Sequence, residues 1–209
     1  MLPNIGVEGA GNEGICSIRF SYEQFITANK LKVGLVKVAG LEAMKIAAWN
    51  GRGLGNRLAV RGLQDIKKRE DPDVLFISET KLDERRMEKF RWLLGMPNMI
   101  VHSCDGKSGG LALLWKRNVE ISVRDAKRLY IDVDIADGDV LWRFTGVYGD
   151  PENKDLTWTT LRNVKHQGSG PGFVWATSMK YYSSMRRMVV PQNLKLTWTG
   201  SAKLLSYAS

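Results

Sequence analysis

The sequence is poor in cysteine, with only Cys16 and Cys104 among 209 residues. Two isolated cysteines supply neither a disulfide framework nor the paired spacing of a zinc site, so we expect a reduced intracellular protein, nuclear or cytoplasmic. No apolar run approaches the roughly 18–20 residues of a membrane-spanning helix. The N-terminus also lacks the basic and apolar segments of a secretory signal, so we expect neither secretion nor a membrane partner.

Acidic residues are missing from the last quarter of the chain. Residues 156–209 contain seven lysines and arginines but no aspartate or glutamate, whereas residues 1–155 contain 24 basic and 22 acidic residues. The formal net charge of +9 therefore comes mostly from this tail. A basic tail that binds nucleic acid is one explanation. A segment that selection has not shaped as protein is another.

A regular pattern of apolar runs and amphipathic stretches begins at Met44. Asn56 is the expected N-cap of a helix that runs to about Lys68, with Leu58, Leu63 and Ile66 on one face. Further helices are expected at 83–93 and 156–164. Strands are expected at 45–49, 74–78, 99–103, 111–115, 119–124, 129–135 and 141–148, the last two joined by a hairpin turn at ADGD. This order predicts an α/β fold, a mixed sheet with helices packed outside it.

We expect three segments along the chain. Residues 1–43 are weakly patterned, with a short helix near 22–31 and an apolar run at 32–41 as the expected elements. Residues 44–165 form a partial α/β domain. Residues 166–209 form the basic tail.

Three polar side chains stand at the ends of predicted strands. Asn50 opens the glycine-rich loop GRGLGN, Glu79 follows VLFIS, and Tyr148 ends RFTGVY. Active sites are often built at such positions, on loops held by a rigid scaffold. A lone carboxylate suits Mg²⁺, which takes one or two carboxylates together with water and phosphate oxygens. Each residue also has an ordinary structural explanation: an Asn-Gly turn, a solvated glutamate and a tyrosine that packs.

Four motifs together carry a family resemblance. MKIAAWNGRGLGN, PDVLFISETKL, GKSGGLALLWK and LWRFTGVYGDPE, in this order over residues 44–164, resemble the endonuclease/exonuclease/phosphatase family. The likeness is greatest to the endonuclease domain of plant-type LINE (non-LTR) retrotransposons, although Ala48 and Gly51 differ from the usual first motif. The resemblance implies a two-sheet sandwich flanked by helices and a Mg²⁺-dependent nuclease that nicks DNA.

The resemblance also implies roles for single residues. Glu79 corresponds to the metal ligand, Asn50 supports the metal and the phosphate, and Tyr148 contacts the phosphate. The stretch from Ser108 through Gly109 and Gly110 matches a structural loop. His102 matches no catalytic motif, and we expect it to pack or to lie at the surface.

The second half of the family pattern is not found. A Gly-Asp-Phe-Asn motif should follow the helix at 156–164, with a further Asp and a His later, but residues 156–209 contain no carboxylate and His166 comes too early. Phosphodiester hydrolysis needs an oriented base, a metal and donors to the charged phosphoryl oxygens. We therefore expect the first half of the two-sheet α/β sandwich, with the C-terminal half missing, weak or lost Mg²⁺ binding, and no catalysis.

The codons for Trp175–Tyr182 permit another reading. From the third base of the tryptophan codon, permitted triplets spell Gly-Asp-Phe-Asn-Glu-Ile-Leu, and the same frame upstream permits Pro-Trp-Leu-Cys-Met. We expect a one-register change of reading frame near Gly168–Gly170 and an out-of-frame tail after it.

The sequence thus favours a truncated, inactive endonuclease domain from a retrotransposon, with DNA as its partner and no small-molecule cofactor. An active enzyme whose tail supplies other ligands is a second reading. A third is a nucleic-acid-binding module that uses Arg52, Arg57, Lys81 and the basic tail. The sequence does not define an oligomeric state.

Overall fold

A computed structural model describes residues 19–21, 31–37, 44–51, 53–106, 109–137, 140–150, 153–166, 172–177, 194–199 and 202–207. Its helices are α1 (Arg57–Glu70), α2 (Glu84–Leu94) and α3 (Lys154–His166). Its strands are β1 (Arg19–Ser21), β2 (Leu31–Lys37), β3 (Met44–Asn50), β4 (Val74–Ser78), β5 (Asn98–His102), β6 (Leu111–Trp115), β7 (Glu120–Lys127), β8 (Tyr130–Asp137), β9 (Val140–Tyr148), β10 (Gly172–Thr177), β11 (Leu194–Thr199) and β12 (Ala202–Tyr207).

The strands form two six-stranded sheets. The first sheet has the order β1-β2-β3-β4-β6-β5, and the second has the order β11-β12-β10-β9-β8-β7. Strands β3 and β4 are parallel because α1 crosses over between them, and β6 joins β4 antiparallel. Strands β7, β8 and β9 form an antiparallel meander, to which β10 adds in parallel. The predicted two-sheet α/β sandwich is therefore confirmed.

Strand periodicity divides the core into two layers, because alternate side chains of a strand point to opposite faces. Ile46, Ala48 and Phe76 of the first sheet pack against Val133 and Phe144 of the second. The residues between them on β3 and β4 pack against α1 and α2 on the other face of the first sheet. The first sheet is therefore buried on both faces, which explains its unbroken apolar runs.

Helix α1 begins and ends as its sequence predicts. The Asn56 side chain accepts a hydrogen bond from the Leu58 amide, and the helix ends at Asp71 in a left-handed conformation. Leu63 and Ile66 are buried, but Leu58 is 73% exposed, so the expectation that all three share one face of the helix was wrong. Five residues from Leu58 to Leu63 make about 1.4 helical turns, which turns Leu58 away from the sheet.

The segments that flank 44–165 also contribute strands where the structure describes them. Strand β2 pairs antiparallel with β3 and covers part of the apolar run expected at 32–41. Of the helix expected at 22–31, residues 22–30 lie outside the described residues and Leu31 begins β2. Strands β8 and β9 pair antiparallel with Asp137 opposite Val140, as expected for the hairpin predicted at ADGD. No helix within the described ranges is long and apolar enough to cross a membrane.

Candidate active site

The parallel pairing of β3 and β4 brings two of the predicted site residues together. Asn50 is the last residue of β3 and lies beside Ser78, the last residue of β4, so Glu79 emerges at the same edge. Tyr148 is the last residue of β9, on the facing sheet. Asn50 and Tyr148 are only 7% and 8% exposed, and Glu79 is half-buried.

The three side chains meet at one carboxylate oxygen. The Asn50 amide nitrogen Nδ2 donates a hydrogen bond to Glu79 Oε1 at 2.9 Å, and the Tyr148 hydroxyl donates to the same oxygen at 2.9 Å. Tyr148 is 69 residues from Glu79 in sequence, so this contact depends on the packing of the two sheets. Two neutral donors on one oxygen fix the direction of the carboxylate and leave its negative charge in place.

No cation neutralises Glu79 within the described residues. None of the ion pairs there includes Glu79, and no hydrogen bond reaches its second oxygen, Oε2. A half-buried carboxylate with neutral neighbours and one unoccupied oxygen attracts a cation. The arrangement therefore provides a directed anionic ligand at the edge of the sandwich.

The backbone around Glu79 has an unusual conformation. Glu79 and Lys81 have φ values of 56° and 55°, in the left-handed region that residues other than glycine rarely adopt. Two loops hold this segment by hydrogen bonds. On one side Gly53 N donates to Glu79 O at 2.8 Å, and on the other Thr80 N donates to Gly110 O at 3.1 Å. Such strain persists where surrounding contacts impose it, and it clusters at functional sites.

Gly110 makes this arrangement possible. A Cβ atom at Gly110 would overlap the hydroxyl of the buried Thr80 and would lie 3.2 Å from Lys81 N. Gly110 also has φ 85°, and its neighbour Gly109, at φ 76°, has open space around it. Both glycines lie in the loop that the resemblance assigns a structural role, whereas Ser108 lies outside the described residues.

The remaining predicted residues form no hydrogen bond or ion pair with the Glu79 carboxylate within the described residues, or lie outside them. His102 is half-buried at the end of β5, with Nδ1 3.1 Å from Ser103 O. Arg57 and Lys81 are exposed, and Arg52 lies outside the described residues. His166 is the last residue of α3.

The donor set agrees with a single-carboxylate Mg²⁺ site. Glu79 and Asn50 supply one carboxylate and one amide, and Mg²⁺ commonly takes one or two carboxylates and fills its other positions with water and substrate phosphate. Within the described part of the chain, no three His, Cys, Asp or Glu residues cluster as a complete metal cage. The residues therefore fit a metal ion whose remaining coordination positions are filled by water and by oxygens of a bound phosphate.

Sequence reasoning missed a buried polar network on β8 and β9. The Arg143 guanidinium binds both oxygens of Asp132 at 2.8 and 2.6 Å, and the Thr145 hydroxyl donates to the same carboxylate at 2.7 Å. Asp132 is 1% exposed. The alternation in LYIDVDI places Asp132 on the face opposite the inter-sheet core, but nothing in the pattern indicates that this face is covered.

Comparison with known proteins supports the fold at low sequence identity. No protein-family profile matches the sequence, and no curated protein matches it. A humanized TDP2 from D. rerio superposes with a TM-score of 0.55 at 14% identity, over 79% of this chain and 82% of that chain. TDP2 from C. elegans gives a TM-score of 0.53 at 15% identity, over 79% of this chain and 64% of that chain.

A third similar structure is matched over little more than half of its length. The chain spans 56% of the length of the 3′ phosphatase NExo from Neisseria, which is bound to a product DNA hairpin, at 19% identity, a TM-score of 0.46 and coverage of 64% of this chain. The two TDP2 superpositions carry the comparison, because both exceed a TM-score of 0.5. The chain thus has the endonuclease/exonuclease/phosphatase fold.

Proposed function

We propose that the chain is a Mg²⁺-binding DNA endonuclease domain of the LINE retrotransposon type that has lost catalysis. The observation that carries this proposal is the convergence of Asn50 and Tyr148 on Glu79 Oε1. The order of the four sequence motifs over residues 44–164 adds the retrotransposon origin. The retained function is then weak binding of metal and DNA at the end of the sandwich.

Glu79 and Asn50 would hold the metal at this site. A bound Mg²⁺ polarises a phosphoryl oxygen and offsets the charge that develops on it. The Tyr148 hydroxyl donates its one proton to Glu79 Oε1, so it would donate to a phosphate oxygen beside the carboxylate only by turning away from Glu79. These three residues bind and orient a phosphodiester, and none of them supplies a base to activate water.

The proposed loss of catalysis rests on the lack of a carboxylate that could act as the general base. Residues 156–209 contain neither aspartate nor glutamate. Asp150, which lies just beyond Tyr148, accepts hydrogen bonds from Arg128 at 2.8 Å and from the Asn153 backbone amide at 3.1 Å, so it is held by an ion pair and by the turn that precedes α3. Removal of a general base alone lowers a rate by about 10²–10⁴-fold, and here the oxyanion donors of the family motif go with it.

A plasmid-nicking assay tests this proposal. Full-length protein is incubated with supercoiled DNA and Mg²⁺, with Glu79→Gln protein prepared in parallel as the matched control. We expect both proteins to nick the plasmid at the same background rate. In a separate calorimetric titration, we expect only the unaltered protein to bind Mg²⁺. Mg²⁺-dependent nicking that disappears in Glu79→Gln would overturn the loss of catalysis.

The retrotransposon origin has its own test. Genomic DNA and transcript are sequenced across codons 165–182. We expect the alternate frame to encode Pro-Trp-x-Cys-x-Gly-Asp-Phe-Asn. A frame without this motif would contradict a shifted element and leave the tail as a genuine protein segment.

A second candidate function is nucleic-acid binding without catalysis through the basic tail. The seven basic and no acidic residues of 156–209 favour it. The affinity of such binding falls steeply as the salt concentration rises and does not depend on the base sequence of the nucleic acid. Neutralising Arg186 and Arg187 together should then lower DNA affinity and flatten its salt dependence. An unchanged affinity would exclude the tail as the binding element.

A further inference from the structure

A basic cleft lies between α1 and α2, on the outer side of the first sheet. It has a volume of about 340 Å³ and is lined by Leu54, Arg57, Val60, Arg61, Gln64 and Lys89. The first residue of α1 therefore stands at one wall and the middle of α2 at the other. None of the described residues that line this cleft carries a carboxylate.

The cations of the cleft are three of the five on α1 and α2 that form no ion pair in the described part of the chain, the other two being Lys68 and Arg85. Lys67 and Arg91 are paired with Asp71 and Glu88. Arg57, Arg61 and Lys89 take part in no ion pair within the described part of the chain. Three like charges around one concave surface raise the local positive potential and favour a polyanion.

An exposed indole stands on α2 next to one of these cations, Lys89. Trp92 is 76% exposed, and large aromatic side chains are usually mostly buried. Trp92 follows Lys89 by three residues on α2, so the two side chains are neighbours on the helix surface. Proteins that hold single-stranded nucleic acid combine these two elements, a basic groove for the backbone and an aromatic face for the bases.

The cleft adjoins the Glu79 site through the backbone. Leu54 lines the cleft, and its amide donates a hydrogen bond to Thr80 O at 3.0 Å, one residue after Glu79. Asn56, the next residue but one, caps α1. The loop therefore connects the Glu79 site to Arg57, the first residue of α1 and a lining residue of the cleft.

We propose that the cleft between α1 and α2 binds the backbone of single-stranded DNA that flanks the Glu79 site, and that Trp92 stacks on one of its bases. This inference rests on the proposed function, because it makes the cleft an extension of the DNA path. Single strands fit better than duplex because only unpaired bases offer an open face to the indole. Arg57, Arg61 and Lys89 contact phosphates and carry no base preference.

Fluorescence anisotropy with labelled oligothymidylate, in EDTA, tests the cleft separately from metal binding. Replacement of Trp92 by alanine should weaken binding about 5- to 140-fold, the usual range for one base–aromatic stack. Alanine at Arg57, Arg61 or Lys89 should each reduce the slope of log affinity against log salt by about 0.7. Arg117→Ala and Leu141→Ala are matched controls, because both remove an exposed side chain away from the two helices.

The outcomes separate the cleft from the Glu79 site. Binding that depends on Trp92 and the three cations, and persists in Glu79→Gln, supports the inference even if the Glu79 site takes no metal. Binding unaffected by all four cleft variants assigns the affinity to other charges and overturns it. The inference is also overturned if Trp92→Ala has no effect and the alanine variants of the three cations lose as much affinity for duplex DNA or polyglutamate as for oligothymidylate. The cleft would then bind any polyanion.

Discussion

Carboxylates at the two ends of β3 and β4 have opposite kinds of partner. At the end where β4 begins, Lys116 Nζ lies 2.9 Å from both Asp71 Oδ2 and Asp73 Oδ1, and the Lys45 amide donates to Asp73 Oδ2 at 2.8 Å. At the end where β4 stops, Glu79 meets only neutral donors among the described residues. One end is a closed ion-pair network, and the other is an open anionic ligand.

The difference separates structural carboxylates from a candidate ligand. Hydrogen bonds from Lys67 and Lys116 lower the pKa of Asp71 to about 2. Burial lowers the pKa of Lys116, but its hydrogen bonds to Asp71 and Asp73 outweigh burial and raise that pKa above its usual value. Charges at this end satisfy one another. The charge at the Glu79 end has no such partner among the described residues, and this is why we propose Glu79 as the metal ligand.

The largest expected effect concerns the loop that imposes the conformation of Glu79. Gly110→Ala should lower the free energy of unfolding by about 2–4 kcal/mol, since the new Cβ overlaps Thr80 and the positive φ disfavours alanine. Gly109→Ala is the matched control, because it has a positive φ but no neighbour within 4 Å, and should cost about 1 kcal/mol. Urea denaturation measures both. Equal losses of unfolding free energy in the two variants would mean that the close contact between Gly110 and Thr80 does not constrain the conformation of the loop.

Next in size is removal of charge at each strand end. Asp73→Asn should destabilise the fold by about 1.5–3 kcal/mol, because Lys116 loses a charged partner. Glu79→Gln should change stability by less than about 0.5 kcal/mol, because no cation among the described residues pairs with Glu79.

Thermal unfolding of the Asp73 and Glu79 variants compares the two ends directly. The same Glu79→Gln protein should lose Mg²⁺ binding, whereas Asp73→Asn should keep it. A large loss of stability in Glu79→Gln would place Glu79 with the structural carboxylates and remove the contrast.

The sequence predicted the elements better than the contacts between them. Strand β4 matches its expected limits because four consecutive apolar residues and Ser78 are all buried, and Asn56 caps α1 as its residue type indicates. The positive φ of Glu79 comes from the two loops beside it, which no local pattern shows.

Contacts between the sheets were likewise beyond the sequence. Gly146 lies so close to the Phe76 ring that a Cβ there would be 2.6 Å from two ring carbons. The strand pattern predicts that β9 has an inner face, but not which residue of β4 it meets. The position of Tyr148 against Glu79 depends on this packing. The proximity of the three site residues was therefore accessible only through the family resemblance.

A smaller effect is expected at the tyrosine. Tyr148→Phe removes one hydrogen bond to Glu79 Oε1 and should cost about 0.5–1.5 kcal/mol of stability. It should also weaken Mg²⁺ binding by several-fold, because the carboxylate is held by Asn50 alone. Calorimetric titration with Mg²⁺ measures the change. An unchanged affinity would show that Tyr148 does not orient the ligand.

The smallest effect is a pH dependence at the ion-paired end. The pKa of Asp71 is lowered from 3.8 to about 2 in the folded state, so its contribution to stability is present above pH 3.8 and is lost as the pH falls towards 2. The side chain is 64% exposed, so solvent screening limits this contribution to about 1 kcal/mol or less. Stability measured from pH 5 to pH 2 should fall less in Asp71→Asn than in the unaltered protein. Identical profiles would contradict the ion pairing.

Paramagnetic broadening by Mn²⁺ tests the contrast between the two ends most directly. Mn²⁺ stands in for Mg²⁺, and amide resonances of the full chain are followed by NMR as the ion is added. We expect selective broadening at Asn50, Gly51 and Glu79–Lys81, with none at Asp71 and Asp73, and its loss in Glu79→Gln. Broadening at Asp71 and Asp73 first, or broadening near Glu79 that persists in Glu79→Gln, would contradict the assignment of Glu79 as a metal ligand.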